Sequence, residues 1–185
     1  MRASTILGAL LLVGFSTVAS VQSAPSLDEC KLFQLLNQER EKLGMPQLKW
    51  DDHLAQSARV HAQLLAEHRS LSHQFAGEPE LMTRVGATGM RFDFAAENIG
   101  RANTVETVHE DLMYSPPHRA NILGARYTAV GVGIVARDGM LWTTENFAHA
   151  LPNYSEAQFR DEIVAAFNRM RQSKGIAAIA ARSDD

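Results

Sequence analysis

The apolar residues of this chain fall into two spacings. Leu32, Leu35, Leu36 and Leu43 recur near a 3.6-residue period, and Gly44 supplies a stop, so a helix is predicted across positions 30–43. A second helix follows the capping pair Asp51-Asp52 and lines Leu54, Ala58, His61 or Ala62, and Leu65 along one face. Asn103 with Glu106 reads as a capping box ahead of Val105, Val108 and Leu112. Pro116-Pro117 ends that third helix, because a proline ring drives the residue before it out of helical geometry. Val130, Val132 and Ile134 then alternate with small residues, the period of a strand, and Asp138-Gly139 is a hairpin signal joining this run to 141–147. The pattern predicts a layered domain of helices and strands, antiparallel at least at the hairpin.

The N-terminal stretch has a different character. Arg2 precedes an uncharged apolar run over 6–18, and the small-residue segment 20–24 leads into Pro25, the layout of a secretory signal peptide. The run is 13 residues long, short of the roughly 20 a membrane-spanning helix needs. Residues 1–24 are therefore expected to be removed on export to the periplasm or the medium, with cleavage after Ser20, Ser23 or Ala24, leaving no transmembrane segment in the mature chain.

Composition narrows the partners. Lys and Arg number 18 against 21 Asp and Glu, for a formal net charge of −3, and the basic residues are scattered. Nucleic-acid binding through counterion release needs a basic stripe, so that class is set aside. The 185 residues suffice for one domain with its own core. Cys30 is the only cysteine, which excludes an intramolecular disulfide and leaves an inert thiol or a link between chains.

Four short segments carry polar chemistry. Ser72-His73 follows the second helix; Glu97-Asn98-Ile99-Gly100 opens a strand or turn; Ser115-Pro116-Pro117-His118-Arg119-Ala120-Asn121 forms a loop entering a helical turn; Thr143-Thr144-Glu145-Asn146-Phe147 lies in the last strand. Together with Leu36-Asn37-Gln38-Glu39-Arg40, Gly44, Leu48, Trp50 and the stretch from Tyr127 to Gly133, this order resembles the bacterial branch of the CAP superfamily of cysteine-rich secretory, antigen 5 and pathogenesis-related proteins. The resemblance spans most of the mature chain. It implies an α+β fold, a three-layer α-β-α sandwich around a mainly antiparallel sheet, over residues 30–150.

The resemblance also implies a surface cleft in which two histidines, here His73 and His118, converge with a glutamate, here Glu97. Imidazoles at such a place can bind zinc or move protons near neutral pH, and two of them with one carboxylate leave a coordination position open. The family's second glutamate is missing, since Leu112 and Ser115 stand at the corresponding positions. Glu145 replaces a glutamine of the last-strand motif and either restores an acid at the cleft or faces solvent, while Arg119 either contacts an anionic ligand or ties down its loop. Asn37 and Arg40 interrupt an apolar helix pattern and are expected to bond to loops, and Glu97 has the further option of holding backbone amides. His53, His61, His68 and His109 are read as surface or helix-packing residues.

Two functions follow. The first is a secreted, non-enzymatic module that binds a small molecule, a lipid or an extracellular protein, with His73 and His118 as ligands for a possible zinc ion. The second is a protease-like hydrolase in which Glu97 is catalytic beside His73. A serine hydrolase is set aside, because no Gly-x-Ser-x-Gly elbow is present. The tail, 151–185, repeats Asn37, Arg40 and Gly44 as Asn168, Arg171 and Gly175, each 131 positions on. This reads as a helical tail that begins a second copy of the domain.

Overall fold

The computed structural model describes residues 24–180. The segment read as a signal peptide lies outside the described residues, save for Ala24. Two helices open the fold around a short strand. α1 (Leu27–Lys42) starts at Ser26, whose hydroxyl accepts from the Glu29 N–H in a capping box, and β1 (Lys49–Trp50) follows the turn. α2 (Asp52–His68) is capped by Asp51, as expected. Then come α3 (Leu81–Ala87), β2 (Phe92–Ala102), α4 (Val105–Tyr114) and α5 (Pro116–Ile122), the hairpin β3 (Ala129–Arg137) and β4 (Met140–Ala150), and finally α6 (Glu156–Ser173). α4 begins one residue later than expected: Thr104, not Asn103, caps it, its Oγ1 accepting from the Thr107 N–H at 3.1 Å. That places Val105 at the first helical position, where it packs into the core.

The four strands lie in the order β1-β3-β4-β2. β3–β4 and β2–β4 are antiparallel, and β1 adds a two-residue parallel contact, Lys49↔Ala129 and Trp50↔Val130, so the sheet is mixed with an antiparallel majority. Asp138 and Gly139, at φ +53° and +73°, make the hairpin turn the sequence signals.

Helices cover both faces, giving the α-β-α layering. α1, α4 and α5 close one face over Leu32, Leu36, Val108, Leu112, Val132 and Phe147. On the other face α2 lies on β3 and β4, with α3 against β2. α2 sits directly on the strand backbone: a Cβ on Gly131 would run into Ala55 N, and one on Gly133 into Arg59 N. Glycine is needed at both places because nothing else lets the two backbones approach so closely.

Asn37 and Arg40 act as expected. Asn37 brackets Leu48, donating to its carbonyl at 3.1 Å and accepting from its N–H at 2.8 Å, which fixes where β1 starts. Arg40 is 1% exposed and donates to the carbonyls of Pro46, Ile122 and Gly124, tying α1 to the turn after α5. A buried guanidinium is tolerated because its donors are taken up.

Candidate functional site

β2 is an edge strand, and its alternation sends Glu97 toward α2 and Asn98 toward α5. Three further segments converge on this edge. The loop between α2 and α3 supplies His73 and Glu78, α2 supplies His61, and α3 supplies Arg84.

Glu97 is the centre of the arrangement, with a side chain only 3% exposed. Its Oε1 faces His73 Nδ1 at 3.0 Å and its Oε2 accepts from Arg84 Nη2 at 2.9 Å. The Asn146 amide, turned so that its nitrogen faces Glu97, donates to Oε2 at 3.3 Å and accepts from the Ala58 N–H at 3.2 Å. His61 Nε2 lies 3.7 Å from Oε1. Behind them Glu78 takes His61 Nδ1 at 2.7 Å and the Phe75 N–H at 3.0 Å, with Arg84 Nη1 at 3.3 Å. Arg84 thus stands between two buried carboxylates and offsets their mutual repulsion. His61 Nε2 also meets the Ser72 carbonyl at 2.9 Å, so each of its ring nitrogens faces an oxygen.

His73 presents its other edge to solvent, its side chain 61% exposed. The hydrogen bond to Glu97 raises its pKa above the ordinary histidine value, against the opposing effect of partial burial. His118, half-buried on α5, moves the other way: burial lowers its pKa, and the charge of nearby His73 lowers it further. The two histidines named from the sequence therefore lie within electrostatic reach of each other and are shifted in opposite directions. Beside His73 and Glu97 is a shallow cavity of ≈ 330 Å³ closed by Gln74, Leu81 and Met82. A larger depression of ≈ 560 Å³ near β1 holds neither a histidine nor a glutamate.

Glu145 corrects the expectation of an acid at the cleft or in solvent. It is register partner to Asn98, hence on the sheet face opposite Glu97, and it is 0% exposed. Its Oε2 accepts from Asn98 Nδ2 at 3.0 Å, while Oε1 is buried without a hydrogen-bond partner among the described residues. Burial pushes its pKa up to about 7. Asn98 Nδ2 also donates to the His118 carbonyl at 3.1 Å, and Asn121 donates to Asn98 Oδ1 at 2.9 Å, so this network anchors the α5 turn that carries His118. Glu97 departs from its structural option too, since its oxygens take side chains rather than backbone amides. Arg119 is exposed on α5, and its charge adds a small part to the lowering of the Glu39 pKa, which the Lys42 hydrogen bond leads and burial opposes. Cys30 is a free, half-buried thiol.

His61, Glu78 and Arg84 are not among the residues expected at the site. His61 lies on the apolar stripe of α2, indistinguishable by spacing from a packing residue, and Glu78 and Arg84 belong to no local motif. Their link to Glu97 arises only when the loop folds back over α2.

The chain belongs to the cysteine-rich secretory protein (CAP) family, whose family model matches residues 33–144. It is 34% identical to the Bacillus subtilis protein YkwD over 131 residues, 70% of this chain and 51% of that one. Among solved structures it is similar to an extracellular protein containing an SCP domain from Bacillus anthracis, at 27% identity and a TM-score of 0.60, covering 65% of this chain and 40% of that one. An outer surface protein from Borrelia burgdorferi shares the fold at 21% identity and a TM-score of 0.62, covering 67% of this chain and 93% of that one. The match spans only about half the length of YkwD. No helix among the described residues is long and apolar enough to cross a membrane.

Proposed function

We propose that this chain is a secreted, non-enzymatic binding or interaction module whose cleft offers the His73 and His118 imidazoles to a small molecule, a lipid or an extracellular protein. The observation that carries this reading is the position of Glu97. Both its oxygens are engaged and it is buried behind His73, so its role is to orient an imidazole rather than to meet a substrate. What faces the ligand is a histidine biased toward the cation, a donor, beside one biased toward the neutral ring, an acceptor. Export is supported by the leader-like segment 1–24 and by the extracellular description of the Bacillus anthracis relative.

A divalent ion such as zinc would be held by His73 and His118, with Glu97 as the outer partner of His73. No group of three or more His, Cys, Asp or Glu side chains among the described residues is arranged to hold a metal ion, so the fit is to two imidazoles only. Bound there, the ion would supply open coordination positions for a donor atom of the ligand.

The opposite pKa shifts of the two histidines favour a second reading, an acid–base pair in a hydrolase. Calorimetry with zinc and a screen of peptide, ester and glycan substrates separate the two. The binding reading expects modest zinc affinity that His118→Ala abolishes, and no turnover that depends on the cleft. Turnover lost in both His73→Ala and His118→Ala would establish the hydrolase, whereas turnover unchanged in Glu97→Ala marks a contaminant. Absence of zinc binding, or equal binding by His118→Ala, removes the metal.

A further inference from the structure

α6 and the turn after it reproduce the helix-to-turn hydrogen bonds of the opening unit of the domain. Asn168 donates to the Ile179 carbonyl at 2.8 Å and accepts from its N–H at 2.7 Å, as Asn37 does with Leu48. Arg171 Nε donates to the Ala177 carbonyl at 2.6 Å, as Arg40 Nε does to Pro46. Gly175 and Gly44 turn the chain at φ +69° and +65°, and Ile176 and Met45 each close the turn with an N–H bond to the arginine carbonyl at 2.9 Å. The tail is thus a preformed helix–turn unit, held by its own side-chain bonds.

The two units differ in what covers them. Leu32, Leu36 and Leu48 are 0%, 0% and 2% exposed, while their counterparts Ile163, Phe167 and Ile179 are 43%, 54% and 45% exposed. Phe159 and Met170 extend the same stripe of α6, which contributes no residue to the core. An uncovered apolar stripe of this length on a formed helix marks an interaction surface.

The groove that α1 fills in another copy of the chain is a poor match for α6. Glu29 of α1 pairs with Arg59 at 2.7 Å, and Arg160 stands at the Glu29 position of the α6 unit, so exchange would set two guanidinium groups against each other. Another α6 fits better. Glu162 and Arg169, both exposed and without an ion-pair partner among the described residues, lie seven positions apart along one border of the stripe. In an antiparallel pair with its twofold axis at the level of Ala165 and Ala166, Glu162 of each helix meets Arg169 of the other, and Ala166 beside the stripe allows close approach. We propose that the α6 unit repeats the start of the domain and docks, antiparallel, on α6 of a second copy of the chain.

Sedimentation velocity on the purified chain over the micromolar range tests this. The expected result is a reversible dimer that Phe167→Glu weakens by about a hundredfold or more, because it puts a charge in the apolar seam. Glu162→Arg weakens it by about tenfold, and Glu162→Arg combined with Arg169→Glu restores it. Since α6 contributes nothing to the core, these variants keep the domain folded, which far-UV circular dichroism checks. A monomer at every concentration, a dimer indifferent to Phe167→Glu, or a charge swap that fails to restore association overturns the proposal.

Discussion

Glu97 stands behind His73 with its Oε1 3.0 Å from the imidazole Nδ1, leaving Nε2 as the nitrogen that faces outward. The carboxylate is in turn held by Arg84 at 2.9 Å. Tautomer and orientation of the exposed histidine are thus set from inside the protein, by groups a ligand does not touch.

The two histidines should titrate on either side of the ordinary value of 6.5, His73 above and His118 below. NMR titration of the ring protons measures both. Glu97→Gln should bring the His73 pKa down by replacing a charged acceptor with a neutral amide. Arg84→Gln should move it further up, because the Arg84 charge opposes the protonated ring. Two neighbouring substitutions with opposite signs distinguish this electrostatic account from a general loosening of the loop.

Glu145 makes stability depend on pH. Its carboxyl titrates near 7 in the folded protein against an ordinary value of 4.5, so the native state binds the extra proton. Stability from this group is full below about pH 4.5, falls as pH rises, and is lost above about pH 7. The loss is on the order of 3 kcal/mol as an upper figure. Glu145→Gln keeps the shape and the bond to Asn98 without a charge. It should raise the melting temperature at pH 8 and flatten the profile between pH 5 and 7; equal profiles for both proteins would show that Glu145 ionises freely.

Arg40 holds α1 to the turn after α5 through bonds to Ile122 and Gly124. Arg40→Ala leaves three carbonyls without their donor and a space where the side chain lay. Denaturant unfolding should register a loss of about 3 to 5 kcal/mol. Arg40→Lys should recover only part of it, since an ammonium cannot span the same carbonyls in one plane.

Periodicity alone reveals much of this fold. The stripe of α2, the Pro-Pro break between α4 and α5, and the Asp138-Gly139 hairpin each have a local physical cause that survives in the folded chain. Parallel β1 is not readable, since two residues have no period and the strand exists because Asn37 positions Leu48. His73, Glu97 and His118 come from motif order, and the structure places them around one strand edge. The inner network of His61, Glu78 and Arg84 has no local signature. Glu145 does carry one: it alternates with Thr143 and core residue Phe147, so the period of two turns it inward with them.

The central claim is that His73 and His118, backed by Glu97, hold a ligand rather than transform one. Native mass spectrometry of the protein purified from its own host tests it most directly. The account predicts a retained non-covalent mass on the wild-type chain that disappears when His73 and His118 are both changed to alanine. Preparations that carry no added mass, or a mass retained equally by the double variant, would contradict it.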